Sequence, residues 1–544
     1  MTARFMLAGF CLIGCLALSS LAVAEDSPGQ ADLDQATQEM VSAENLTDLE
    51  EVVELCESAL AKGLDEENQK YAKQLMTSAL YARAQQLTAP IFEQQPPNPR
   101  WPLLRNYALR DLNKAIEHNK DFGDAYLLKA KLLALPGGDA KEARSAAGEA
   151  ARVFADDKKR QAEALLLKAA LAEDEEARLR DLDAALEVAP ENLDVRLTRG
   201  LHYLQADEND KAIADFRAVL EQDEQRTEAW HGVSEALLNQ KKFDEALEAI
   251  NKAIQIKPED AMGYNMRARV HALKEDLKAS LADLDQALKV DEENIPALLM
   301  RARVYSATDE NEKALADVNR ALELRPGLVQ GLELRSALLA ATDKLEDAIG
   351  DLRKLLHADP ERIEWRLQLA MYHQADGRPR KAIQLFNEIL EDDPKNWLAL
   401  RGRGDAYISI GNHQKALEDL EAALKLQTEN SGILNNLAWL LATSPEDGLR
   451  NAERAIELAT KACEVTDYKE AHILSTLASS YAEKGDWDNA VKWSEKAVEL
   501  GEGDVKEQLE KELESYKNKK PWREKQELEE KPESKAPIDS EFQL

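Results

Sequence analysis

The sequence predicts an all-α fold, a solenoid of stacked antiparallel helix pairs. Three observations carry that expectation. Between residues 193 and 430 a 34-residue period is marked by Pro190, Glu224, Pro258, Glu292, Pro326, Pro360, Pro394 and Thr428. A fixed period of this length, with helical text between the marks, is the signature of a stacked repeat array. Second, each period holds two amphipathic stretches separated by polar turns such as "ADEND" and "DGRPR". Third, only 23 of 544 residues are glycine, while Ala, Leu, Glu and Lys abound, a composition suited to helix throughout.

Seven strict units begin at Leu193, Thr227, Ala261, Ile295, Val329, Ile363 and Trp397. Position eight is always small (Gly200, Ser234, Ala268, Ala302, Ser336, Ala370, Gly404), and so is position twenty (from Ala212 to Ala416). Small residues at fixed points let helix backbones approach closely. Positions twenty-four and twenty-eight are large and apolar, as in Phe216 with Leu220 or Phe386 with Leu390. With position twenty they fall four apart and line one helix face. The marker prolines open the turn into the next unit, because the residue before proline disfavours helix.

This pattern resembles the tetratricopeptide repeat, best in Gly200–Tyr203–Ala212–Phe216 and Gly404–Tyr407–Ala416–Leu420. The resemblance extends over about residues 47–518 and implies a right-handed superhelix whose first helices line a concave groove. It also implies a binding scaffold. Such a scaffold hosts many unrelated partners, so the resemblance does not identify this one.

One ion pair is legible in the repeats. Position seven is Arg199, Arg267, Arg301, Arg335 or Arg403 in five units, and position twenty-three of the same units is Asp215, Asp283, Asp317, Asp351 or Asp419. Where position seven is apolar, position twenty-three is too: Val233 with Ala249, Leu369 with Leu385. A half-buried charge without its partner costs about 3–5 kcal/mol, whereas losing both together is near neutral. The co-occurrence therefore predicts that the two helices of a unit touch at these residues.

The rest of the chain follows in order. Residues 1–24 read as an export signal: Arg4, an apolar run over 5–21, and Ala22-Val23-Ala24 before Glu25-Asp26. Two alternatives stay open. Leu12-Ile13-Gly14-Cys15 resembles a bacterial lipoprotein box, which would place a lipid on Cys15, and residues 5–24 approach the length of an uncleaved anchor. Residues 25–46 are polar and read as a tether. Thr47 and Glu50 suggest a capping box opening atypical helices over 47–122. A proline-rich loop at 88–102 (Pro90, Pro96, Pro97, Pro99, Pro102) interrupts these helices. Residues 123–192 read as degenerate repeats. After the strict repeats of 193–430, residues 431–503 form two further units, the first with the insertion "SPEDGLR". Residues 504–518 read as a capping helix and 519–544, rich in Lys, Glu and Pro, as a disordered tail.

The net charge of −33 argues against nucleic acid and against adsorption to anionic lipid. A membrane association is expected only if the N-terminus is retained or Cys15 is lipidated. The eight histidines do not cluster, and no zinc, phosphate-loop, nucleophile-elbow or calcium-loop spacing occurs. No cofactor, no metal and no catalysis are expected. Candidate peptide-binding residues lie on the first helices. One group is Asn265, Met266, Arg269, Met300 and Arg303, adaptable methionines beside groups that bond a peptide backbone or carboxylate. A second is Arg401, Asn436 and Trp439, with Asn435 beside them. The sequence thus reads as an exported, non-enzymatic scaffold of the periplasm or cell envelope that binds a peptide or protein in its groove. The alternative is a structural, lipid- or signal-anchored component with no groove ligand.

Overall fold

The structure, a computed structural model, describes residues 27–92 and 99–524. The expected signal with Cys15, residues 93–98 of the proline-rich loop, and residues 525–544 lie outside the described residues. Among the described residues there are 27 α-helices, one short 3-10 turn and no strand. The chain divides into a unit ending at Lys257 and a unit beginning at Pro258.

Each strict repeat is a pair such as Leu193–Gln205 with Asn209–Gln222, or Ile295–Ala307 with Asn311–Leu324. The "EN" and "ED" of the markers turn out to start the next helix. Asn192, Asn294, Asn396 and Asn430 cap it by accepting from backbone N–H groups of its first turn, and Asp260 does the same. Such caps contribute about 1 kcal/mol each over alanine. The turn inside a repeat is equally regular. Position fifteen is left-handed in all seven units: Asp207, Lys241, Glu275, Asp309 and Asp343 with φ of 58–63°, and Gly377 and Gly411 with φ of 74°. The residue after it closes the helix end, as Glu208 N–H donates to the Tyr203 carbonyl at 2.8 Å.

Packing explains the small positions. The Phe216 ring is fully buried, and a Cβ on Gly200 or Gly232 would lie 2.6 or 2.5 Å from it. Phe216 therefore sits between its own unit's first helix and the next. Phe386 meets Gly402 in the same way, at 2.3 Å from a built Cβ. The first helices also touch one another along the array, as Ala261–Leu273 touches Ile295–Ala307 and Ile363–Ala375 touches Trp397–Ser409.

The N-terminal unit corrects several expectations. The polar tether of 25–46 is instead a packed helix, Gln30–Ser42, which buries Leu33 and Ala36 against Leu46–Lys62. Ser58 Oγ donates to Asp32 at 2.5 Å and fixes the pair. The capping box is made by Asn45 and Asp48, not by Thr47 and Glu50: Asn45 Oδ1 accepts from the Thr47 and Asp48 N–H groups, and Asp48 answers to the Asn45 N–H at 3.2 Å. Helix Glu66–Phe92 runs on through Pro90, whose missing N–H removes one bond near the helix end. Trp101–His118 then starts with Pro102 in its first turn, where proline is tolerated. Cys56 and Cys463 are free and fully buried, and burial pushes their thiols up to about 11 and about 12.

The left-handed turn yields a direct test. A non-glycine residue there is strained by about 1–2 kcal/mol, less the greater chain entropy of glycine. Lys241→Gly is expected to raise stability by about 0.5–1 kcal/mol in urea unfolding, and Gly377→Ala to lower it by about 1 kcal/mol. Equal stability of both variants and the parent would contradict this turn assignment.

Candidate interaction face

The five arginines of position seven are first of all structural. Each guanidinium grips its aspartate with Nε on one oxygen and Nη2 on the other. The distances are 2.7 and 2.8 Å for Arg199–Asp215, 2.9 and 2.6 Å for Arg267–Asp283, and 2.8 and 2.7 Å for Arg301–Asp317. Arg335–Asp351 and Arg403–Asp419 repeat this at 2.6 to 2.7 Å. The aspartates are buried. Bonding to Asp215 and Asp317 holds the Arg199 and Arg301 guanidinium groups above the usual arginine value.

The remaining nitrogen reaches back one unit. Nη1 of Arg199, Arg301, Arg335 and Arg403 donates to Asp183, Asp285, Asn319 and Asn387, at 2.7, 2.7, 2.9 and 2.7 Å. One side chain thus ties three helices. The degenerate repeats keep the buried aspartate but draw the cation from elsewhere. Arg83 grips Asp111 at 2.7 and 2.6 Å, while Lys168 and Arg144 converge on Asp181 at 2.7 and 2.5 Å. The strict spacing does not reach these pairs: a longer connection separates Arg83 from Asp111, Lys168 stands further along its helix than position seven, and Arg144 comes from the preceding helix pair.

With those arginines committed to the scaffold, the candidate binding residues are other side chains of the first helices. In the first candidate group, Arg303 is exposed and Arg269 and Met300 are half-buried. Asn265 Nδ2 donates to the Asn294 cap at 2.9 Å, so part of its bonding capacity serves the next helix. Met266 does not line the face. It is buried, because its helix position turns inward, and Met262 is the methionine presented to solvent, 54% exposed.

The second group comes together in one network. Asn436 Nδ2 donates to Asp405 at 2.6 Å, Arg401 Nε stands 3.8 Å from the same carboxylate, and Asn435 Nδ2 donates to Asn436 at 3.1 Å. The Arg401 guanidinium lies against Gly432, where a Cβ would come within 2.7 Å of it. The Trp439 indole N–H donates to Glu524, a residue that sequence reading assigned to a disordered tail. Residues 519–524 are packed on the protein. The signal for that was Trp522, an aromatic side chain among Lys, Pro and Glu.

A family profile described as tetratricopeptide repeat matches residues 176–227, 197–261, 234–298 and 367–431, and a second of the same description matches 295–327. Residues 176–327 and 367–431 are therefore tetratricopeptide repeats. Among similar proteins, the tetratricopeptide repeat and J domain-containing co-chaperone DNJ1 of Fusarium oxysporum is 28% identical over 133 residues, 24% of this chain and 26% of that protein. Tetratricopeptide repeat protein 6 of Homo sapiens is 34% identical over 77 residues, 14% of this chain and 15% of that protein. The chain thus spans about a quarter or less of these relatives. Among solved structures, YrrB, described as a TPR protein with an unusual peptide-binding site, is 26% identical, with 35% of this chain and 97% of that one covered at a TM-score of 0.32. The Cut9–Hcn1 structure is 15% identical, with 89% and 96% covered at a TM-score of 0.40.

Of the histidines, His202, His231, His373 and His413 are buried in the array. His373 is 1% exposed, and His271 lies 3.8 Å from the Asp283 carboxylate. Among the described residues no group of His, Cys, Asp and Glu has a metal-holding arrangement.

Asp405 gives this face a pH dependence. Lost hydration raises its carboxyl to about 6, against the opposing pull of Asn436 and Arg401. A carboxyl raised on folding stabilises most below its unfolded value and loses that contribution as pH rises through its folded value. Asp405→Asn is therefore expected to stabilise the second unit by about 1–3 kcal/mol at about pH 8 and by little at about pH 4. A pH-independent effect of the substitution in urea unfolding would contradict the raised value.

Proposed function

We propose that this protein is an exported, non-enzymatic scaffold of the cell envelope that holds a peptide or protein partner along the face of its first helices. The observation that carries the proposal is where large apolar side chains stay in water. Met262 and Leu398 occupy position two, and Leu201 and Met371 occupy position nine, each 41–56% exposed. Both positions belong to the first helix, on the side that the family resemblance assigns to the groove. Within the unit that begins at Pro258, Met262, Met371 and Leu398 thus leave separate apolar contacts open to a partner on the first helices.

Arg303, exposed one repeat along from Arg269, adds a cation to the same helices, and the net charge of −33 disfavours a nucleic-acid partner. Export rests on the pattern of residues 1–24, and direct sequencing of the N-terminus of the envelope form tests it.

The partner is sought by pull-down from envelope extract with mass spectrometry, then titrated against variants. Charge-assisted hydrogen bonds contribute about 1.5–3 kcal/mol each, so Arg269→Ala with Arg303→Ala is expected to weaken binding by well over tenfold. Lysine substitutions on the second helices are expected to change it little. Unchanged affinity in the double variant would remove this stretch of the face from the site.

A further inference from the structure

The last helix, Gly503–Lys517, packs on Trp487–Leu500, and after it the chain reverses. Lys519 is left-handed with φ 55°, and Lys520 N–H donates to the Ser515 carbonyl at 2.9 Å. Pro521–Glu524 then run without regular structure across two neighbouring first helices, Ala471–Lys484 and Ser431–Thr443. Trp522 packs into the apolar cluster of Ala478, Ala482 and Tyr516. Arg523 pairs with Glu483 at 2.7 Å. Glu524 donates its backbone N–H to the Thr443 carbonyl at 2.9 Å and gives its carboxylate to the Trp439 indole.

This is how a scaffold of this kind would hold a foreign peptide: an apolar anchor, one ion pair, one main-chain bond and one side-chain bond, on consecutive residues. The receiving surface also continues beyond the described strap. One helical turn from Trp439 lies Asn435, 8% exposed, whose Oδ1 is buried with no hydrogen-bond partner among the described residues. A buried carbonyl oxygen without a donor is costly unless something supplies one. Next to it stand Asn436 with Asp405, and Arg401, whose nearest carboxylate is 3.8 Å away.

We propose that the surface from Glu483 through Trp439 to Asn435 and Arg401 is a peptide site, and that Pro521–Glu524 occupies part of it in cis. Its partner is an extended segment carrying an aromatic, a basic and an acidic residue in succession. Such a segment binds after displacing the strap. The strap acts as a tethered competitor, present at an effective concentration of about millimolar. The inference rests on the reading of the first-helix face as the binding surface, and adds a site apart from the Arg269–Arg303 stretch.

The test uses the full chain and a fluorescein-labelled synthetic peptide with the sequence of residues 519–527, followed by anisotropy. Arg523→Ala with Glu524→Gln, which loosens the strap, is expected to raise peptide affinity at least about tenfold over the parent, since it removes the tethered competitor. Adding Trp439→Phe, which deletes only the indole donor, is expected to take back most of that gain. A peptide with alanine at the positions of Arg523 and Glu524 is expected to bind neither protein. A chain lacking residues 521–544 serves as a second strap-free protein and is expected to match the loosened variant, with thermal unfolding checking that both remain folded. Equal affinity of parent and loosened variant, or binding indifferent to Trp439→Phe, would overturn the proposal. An envelope partner that still requires Arg269 and Arg303 would in that case leave the scaffold reading standing, so the two failures are distinguishable.

Discussion

The interaction on which the array depends is the buried aspartate gripped by a forked arginine. A tetratricopeptide unit is two short helices, and helices of 13 or 14 residues such as Leu193–Gln205 and Asn209–Gln222 are marginal alone. Their apolar faces supply the attraction but little direction. The bidentate grip supplies direction, because a planar guanidinium meets a carboxylate in one orientation. Its third nitrogen, on Asp285 for Arg301 and on Asn319 for Arg335, carries that orientation from one unit to the preceding one. The same buried aspartate in the degenerate repeats, gripped by Arg83 at Asp111 and by Arg144 and Lys168 at Asp181, indicates that the carboxylate is the fixed element and the cation the adaptable one.

Repetition made most of the fold legible. Seven copies of one pattern separate what packing requires from what it tolerates, so positions eight, twenty, twenty-four and twenty-eight declared themselves, and the arginine and aspartate declared each other. Single-copy features lacked that redundancy. Gln30–Ser42 is mostly polar and buries only Leu33 and Ala36, a stripe too thin to stand out from a tether. Thr47 and Glu50 spell a motif of the same form two residues after Asn45 and hide the cap that forms. Pro90 suggests a stop in the sequence, although near a helix end it removes a single bond.

The candidate site was legible only in part, for a related reason. Repeat position identified which residues lie on the first helices, but not the turn of side chain that buries Met266 and exposes Met262. The network of Arg401, Asp405 and Asn436 could be assembled from position alone, since one period brings 401 and 405 beside 436. The strap could not. Glu524 and Trp439 are 85 residues apart, and no periodicity connects them. Only the reversal after Lys517 brings a charged, proline-containing segment back onto the face.

In the five strict units that carry it, the arginine–aspartate grip acts as one element holding the helix pair together. A double-mutant cycle on Arg301→Leu and Asp317→Leu, read by urea unfolding, tests it most directly. Both side chains are largely enclosed, 21% and 9% exposed, so each single loss leaves a partly buried charge behind. Single losses toward the lower end of about 3–5 kcal/mol are expected, with a much milder double variant and a coupling above about 1 kcal/mol. Single effects that simply add would contradict it.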